Sequence, residues 1–290
     1  MKLLSWNCRG LGNSRTVQTL GFLIKEKGPD FIFLIETKLA GSRARNIACR
    51  FKYDCCVVVD AMGRSGGLML MWKNEVEYEL LNYSNRHING FVYSEETNSK
   101  WLLTCFYGDP VTSCRRASWQ MLKSFKPASR GWCAIGDFNE ILTMGDKVGG
   151  RDRGEAQMRM FREVVEEGQL FDLGWKGLKY TWCNRHEDST FTKERIDRAF
   201  ANRGWKSVYS ESYVDVLPAI CSDHCPLLLS FHYNRAREGW SPFQFKYDVS
   251  WSKEKGCKEL VAAQWQKVTG ERGKIQNAQH KLEDCSLKLK

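Results

Sequence analysis

The sequence predicts a layered α/β sandwich, two packed sheets with helices outside. Many short apolar runs with turn residues between them carry that prediction, together with a few stretches of helical period and no repeat at a fixed spacing. Residues 2–7 read as a strand. Asn13 or Ser14 then caps a helix whose apolar positions Val17, Leu20, Leu23 and Ile24 share one face, stopped by Gly28-Pro29. Residues 30–35 are apolar from Phe31 onward, the pattern of a strand buried on both faces. Strands over 55–60, 67–72, 76–82, 88–94 and 101–107 follow, then a helix over 117–125 and a strand over 132–135. In the second half Met158, Phe161, Val164 and Val165 recur at helical spacing within 155–167. Strands over 179–184, 195–201, 212–217 and 226–232 complete the expected set.

Composition narrows the class. Apolar residues at 42% and aromatics at 12% are enough for a sizeable core and unlike a disordered chain. The formal charge of +10 favours an acidic partner such as nucleic acid, but half of the excess lies in residues 234–290, so the larger part is only mildly basic. Most of the 12 cysteines sit inside apolar runs, and no C-x-x-C pair or zinc-finger histidine spacing occurs. With no signal peptide evident, a reducing intracellular compartment is expected. No apolar stretch reaches the ~20 residues a membrane span needs.

Composition shifts after Tyr233. A polar connector over 234–239 leads to an aromatic-rich stretch, Trp240 to Trp251, then an amphipathic pattern over 254–268 and a polar last stretch. The expected organisation is one domain over 1–233 and a linker-like, partly helical extension over 234–290.

A set of polar residues stands where strand-like runs end. Asn7 follows Leu4-Ser5-Trp6, Glu36 follows Phe33-Leu34-Ile35, and Tyr107 closes Cys105-Phe106. Asp137 and Asn139 follow Ile135-Gly136, Asp197 lies in Arg195-Ile196-Asp197-Arg198, and Cys221-Ser222-Asp223-His224 precedes an apolar run. Singly each has a plain structural reading; Gly-Asp-x-Asn, for example, is good turn chemistry. Together they form a rim where strands emerge and ligands bind. If they converge, Glu36, Asp137, Asp223, Asn7 and Asn139 offer oxygen ligands suited to Mg²⁺ or Mn²⁺. His224 adds a proton donor near neutral pH, Asp197 a partner that fixes its tautomer, and Tyr107 a phenolic donor. No Ser or Cys has a base partner in sequence, so the pattern points to attack by water, in metal-assisted phosphodiester hydrolysis.

The ordered set Ser5-Trp6-Asn7, Ile35-Glu36-Thr37, Tyr107-Gly108, Gly136-Asp137-Phe138-Asn139, Arg195-Ile196-Asp197 and Ser222-Asp223-His224 resembles the exonuclease–endonuclease–phosphatase superfamily. Ser5 to Gly12, the Gly149-Gly150-Arg151 loop and Ser241-Pro242-Phe243-Gln244-Phe245 look like the endonuclease domain of plant non-LTR (LINE-type) retrotransposons. The resemblance implies a four-layered, deoxyribonuclease-I-like sandwich of mainly antiparallel sheets and a Mg²⁺-dependent DNA endonuclease that nicks one strand. It implies that Glu36 and Asn7 hold the metal, with Asp223 assisting, and that Asp137 activates water. Asn139 and Tyr107 would contact the scissile phosphate, and Asp197 would support His224. Arg9, Arg151 and Lys193 are the foremost candidate DNA contacts, in a basic set that also holds Arg153. Arg9 departs from the apurinic-site repair branch, which has an acidic residue there. DNA is the expected partner, with no membrane, no small-molecule cofactor, a monomeric state and a nuclear site of action. The family's reverse transcriptase does not follow in this chain. Two alternatives stand beside this reading: a metal-dependent phosphatase or phosphodiesterase of the same fold, and a non-catalytic relic that only binds nucleic acid.

Overall fold

The computed structural model describes residues 1–63, 65–95, 97–232, 255–266 and 285. The connector over 234–239, the aromatic stretch from Trp240 to Trp251 and most of the C-terminal polar stretch lie outside the described residues. Two compact units are present, 1–234 and 235–290.

The first unit opens with β1 (Lys2–Asn7), α1 (Ser14–Lys27), β2 (Phe31–Ile35) and α2 (Ser42–Arg50). The hairpin strands β3 (Cys55–Met62), β4 (Ser65–Trp72), β5 (Tyr78–Ser84), β6 (His87–Ser94) and β7 (Ser99–Tyr107) follow. Then come α3 (Arg115–Ser124), β8 (Trp132–Asp137), β9 (Lys147–Val148) and α4 (Glu155–Glu167). After β10 (Leu170–Asp172), β11 (Lys176–Gly177), β12 (Trp182–Cys183) and β13 (Lys193–Glu194), the unit ends with β14 (Asp197–Asn202), α5 (Arg203–Val208), β15 (Tyr213–Val216) and β16 (Leu227–Ser230). The second unit contributes α6 (Lys255–Trp265).

Among the described residues the strands form a seven-stranded sheet, order β11-β15-β16-β1-β2-β4-β3, and a six-stranded sheet, order β10-β14-β8-β7-β6-β5. A small sheet, β12-β13-β9, stands apart from both. Most pairings are antiparallel; β1 with β2, β7 with β8 and β11 with β15 are parallel. The pleat sends alternate side chains to opposite faces. Leu3, Phe31, Phe33 and Ile35 therefore meet Leu103, Cys105, Cys133 and Ile135 of the other sheet in one core. Leu4, Ile32 and Leu34 face outward under Val17 and Leu20 of α1 and Ala44 and Ala48 of α2. On the far side, Trp119 of α3 and Phe161 of α4 cover Phe106, Ala134 and Phe200. The layers run helix, sheet, sheet, helix, the sandwich that the sequence predicts.

Local rules explain most boundaries. The Asn13 side chain accepts from Arg15 N at the start of α1, and Gly28 at φ 56° closes it. Two helices are absent from the sequence-based set. In α2 only Ala44 and Ala48 are buried, a stripe too narrow to stand out in an otherwise polar stretch. α5 is a single short segment capped by the Asn202 side chain and anchored by buried Trp205. The strand expected over 179–184 shrinks to β12; beside it the Thr181 N–H still donates to Glu194 O, and the Thr181 hydroxyl accepts from the backbone N–H groups of Ile196 and Asp197.

At position 136 packing demands a glycine. Gly136 has φ +149°, and a Cβ on it would overlap the carbonyl oxygen of Phe106 on the neighbouring strand. Gly136→Ala is expected to cost about 3 kcal/mol or more, read as a lowered denaturant midpoint.

Candidate active site

Strand register builds the site before any side chain is considered. Tyr107 pairs with Asp137 across β7 and β8, and Asp137 pairs with Asp197 across β8 and β14. Asn7 pairs with Ile35 across β1 and β2, leaving Glu36 one residue beyond. Asn7, Tyr107, Asp137 and Asp197 each continue the inner-face alternation of their strands: 3, 5, 7; 103, 105, 107; 133, 135, 137; 201, 199, 197. The inter-sheet core thus ends in a polar lip. Its walls enclose a cavity of about 240 Å³ lined in part by Asn7, Arg9, Glu36, Asp137, Asn139 and His224.

At the centre is a buried proton-handling group. His224 Nδ1 lies 2.9 Å from Asp197 Oδ2, and Nε2 lies 3.9 Å from Asp137 Oδ2. Burial alone would lower the imidazolium pKa, but the Asp197 and Asp137 carboxylates outweigh it and lift it to about 9. Burial, and then the charge of Asp197, push Asp137 above the usual carboxylate range. Its Oδ2 accepts from Asn7 Nδ2 at 3.0 Å and its Oδ1 from the Asn139 backbone N–H at 2.9 Å. Backbone placement is equally tied down. Ser222 Oγ donates to Asn7 O at 2.7 Å and accepts from His224 N, and Trp6 Nε1 donates to the His224 carbonyl.

Beside this group stand two carboxylates. Glu36 adopts a left-handed conformation, φ 53°, and its Oε1 accepts from the Tyr107 hydroxyl at 2.7 Å. Asp223 Oδ2 accepts from Trp182 Nε1 at 3.0 Å. Arg9 bridges them, Nη1 lying 3.4 Å from Glu36 Oε1 and Nε 3.4 Å from Asp223 Oδ1. Asn7 Oδ1 is buried and has no hydrogen-bond partner among the described residues.

The structure brings Asn7, Glu36, Tyr107, Asp137, Asn139, Asp197, Asp223 and His224 to one place. Three expectations are refined by contacts. Tyr107 spends its hydroxyl on Glu36, and Asn139 Nδ2 donates to Gly108 O at 2.8 Å. Of the basic candidates, Arg9 lines the cavity. Arg151 is exposed, and Lys193 lies over the rings of Phe191 and Tyr180, outside the cavity lining. Residues not singled out as site positions in the sequence also converge: Arg115, Trp182 and Glu194 line the cavity, and Thr181 fixes the Asp197 backbone. Trp182 lies in 179–184, whose pattern gives only an ordinary strand; Arg115 carries no local signal.

Asp137, Asp197 and His224 approach one another closely enough to be a metal cluster. A cation there would have to displace the imidazole from Asp197 and would face a positively charged ring. Asn7, Glu36 and Asp223 fit a hard cation better: an unpartnered buried amide oxygen and two carboxylates, all oxygen donors on the cavity wall.

The model of the endonuclease/exonuclease/phosphatase family matches residues 4–224, the span that holds every candidate above. A search of curated proteins gives no match. Solved structures of the same fold include the 3′ phosphatase NExo from Neisseria bound to product DNA hairpin, 17% identical over 80% of this chain and 100% of that one, TM-score 0.62. The AP endonuclease LMAP from Leishmania major is 17% identical over 80% of this chain and 87% of that one, TM-score 0.62. The endonuclease domain of TRAS1, a telomere-specific non-LTR retrotransposon, is 13% identical over 81% of this chain and 100% of that one, TM-score 0.57. At these identities the likeness establishes the fold.

Proposed function

Because the chain belongs to the endonuclease/exonuclease/phosphatase family, we propose that it is a divalent-metal-dependent DNA endonuclease of the retrotransposon type that nicks one strand. One observation carries the reading: the unpartnered Asn7 Oδ1 and the Glu36 and Asp223 carboxylates share a cavity with Asp137 and the Asp197–His224 pair. Asn7, Glu36 and Asp223 would hold Mg²⁺ or Mn²⁺, which supplies charge stabilisation to the phosphoryl oxygens. Tyr107 orients Glu36 through its hydroxyl. Asp137, when ionised, accepts a proton from the attacking water, with Asn7 and Asn139 fixing its two oxygens. His224, held charged by Asp197, donates to a phosphate oxygen, and Asn139 stands on the same cavity wall to contact that phosphate. Arg9, Arg151 and Lys193 would meet flanking phosphates, giving binding that weakens as salt rises. The opening motif from Ser5 to Gly12 supports the retrotransposon assignment, and a chromosomal substrate makes the nucleus the site of action.

Supercoiled plasmid tests the reading. Relaxed circles that form with Mg²⁺ or Mn²⁺ and vanish with chelator are expected. Intact plasmid with release of inorganic phosphate from a phosphomonoester would instead identify a phosphatase.

The acid–base pair predicts a pH profile. Productive protonation requires Asp137 ionised and His224 charged, so kcat/KM should fall on the alkaline side near pH 9. Asp197 favours the charged imidazole; its removal lets burial dominate, and the His224 pKa falls. Asp197→Asn should therefore move the alkaline limb down by about one unit or more. A limb that stays in place would remove His224 from the acid role.

A further inference from the structure

A second group of charged residues lines the cavity. Arg115 Nη1 donates to Glu140 Oε2 at 3.0 Å, and Arg153 Nε donates to Glu194 Oε1 at 3.1 Å. A second Arg153 nitrogen, Nη2, also donates to Glu194, and Lys147 Nζ donates to Glu194 Oε1 at 2.7 Å. Glu140 and Glu194 are buried, and the Arg115 and Lys147 side chains are nearly so. Three cations therefore share two carboxylates. Such a cluster is a poor stabiliser, since desolvating five charges costs about as much as their pairing returns, and an apolar wall would serve the fold as well. Its placement is what distinguishes it: Arg115 and Arg153 line the same cavity as Asp137 and Asn139.

The chain goes to some length to hold Arg153 there. It leaves the Gly149-Gly150 loop, where Gly149 has φ +72° and a Cβ would overlap the carbonyl oxygen of Phe191. The loop is thereby seated against the segment entering β13, which carries Glu194. This accounts for the glycine pair noted in the sequence, and it makes Arg153, rather than exposed Arg151, the arginine delivered to the cavity. Arg153 Nη1 has Glu140 Oε1 at 3.8 Å, too long for a hydrogen bond, so this nitrogen retains donor capacity. The cavity of about 240 Å³ has more room than one phosphate group needs.

We propose that Arg115 and Arg153, held by Glu140 and Glu194 with Lys147 sharing Glu194, form a second anion subsite that takes a DNA backbone phosphate flanking the scissile one. The inference rests on the endonuclease reading and deepens it. Glu140 and Glu194 hold the guanidinium groups in place, so little side-chain entropy is lost when the phosphate arrives. The surplus positive charge of the cluster remains for the ligand. Arg153 is a positioning residue; the reacting atoms stay with Asp137 and His224.

Charge-neutral methylphosphonates placed one at a time around a mapped nick in a labelled duplex test this. Wild type should lose about tenfold in kcat/KM at one flanking position. Arg153→Gln should show a similar loss on the all-phosphate duplex, no further loss at that position, and a salt slope of DNA binding smaller by about 1. Arg153→Lys, which keeps the charge, should recover part of the rate and control for folding, alongside thermal melting of each variant. An Arg153→Gln enzyme that melts like wild type yet stays as sensitive to that methylphosphonate overturns the subsite alone. So does a wild type indifferent to every flanking position. A wild type that cuts no duplex removes the endonuclease reading, and the subsite with it.

Discussion

Asp137→Asn is expected to leave a folded protein that still binds DNA and nicks it about 10³-fold more slowly, the usual range for loss of a general base. The isosteric change keeps the shape of the buried end of β8 and removes the only property that matters for proton transfer. Its cost to the fold is bounded by two opposing effects. The carboxylate accepts from both Asn7 Nδ2 and the Asn139 N–H, whereas an amide has one acceptor oxygen, so one donor loses its partner at about 1–2 kcal/mol. Against that, Asp137 is held above the usual carboxylate range by burial and by Asp197, so its ionised form weakens the fold. A raised carboxylate pKa makes stability fall as pH climbs from the unfolded value through the folded one. The neutral variant escapes that fall. Relative to wild type it should gain stability as pH rises above the unfolded value, while its activity stays low throughout. Thermal melting across pH beside a nicking assay checks both arms. A variant that melts like wild type and cuts at a comparable rate would take Asp137 out of the chemistry.

The separation of activity from stability explains what could be read in the sequence. Four of the site residues are legible because they are placed by parity: each extends the inward-facing alternation of an apolar run by one more step and is polar. Asn7, Tyr107, Asp137 and Asp197 all obey it, and strand register does the rest. The layered fold was legible for the same reason, since continuous runs such as Phe31–Ile35 announce burial on both faces. What was not legible depends on partners distant in sequence. Nothing around Tyr107 says that its hydroxyl will be donated to Glu36, and nothing around Arg115 says that it will meet Glu140. Arg151 and Arg153 are not told apart in sequence for the same reason: two arginines in one polar loop differ only in which side of the loop faces the cavity. α2 and α5 escaped because a stripe of two alanines, or one tryptophan, is too little apolar surface to set a period.

Metal binding measured without DNA should separate Glu36 from Arg9 by sign. Glu36→Gln is expected to weaken Mn²⁺ binding by at least about 100-fold, since loss of a ligand carboxylate exceeds the tenfold to hundredfold effects of outer partners. Arg9→Ala is expected to act in the opposite direction. Its guanidinium lies 3.4 Å from an oxygen of each of Glu36 and Asp223, so a divalent ion arriving between them meets carboxylates already partly neutralised. The Arg9 side chain is 47% exposed, which screens the competition and keeps the expected gain to about tenfold. Lys38, 3.8 Å from Glu36 Oε2, adds a weaker contribution of the same sign. Arg9 also faces the cavity, so the alanine variant should bind metal more tightly and DNA less tightly, two readouts that a simple loss of structure would not move apart. Calorimetric titration with Mn²⁺ and a gel-shift series on the same preparations measure both. Weaker metal binding in Arg9→Ala would mean that the guanidinium organises the two carboxylates for the ion instead of competing with it. Unchanged binding in Glu36→Gln would move the ion away from this wall altogether.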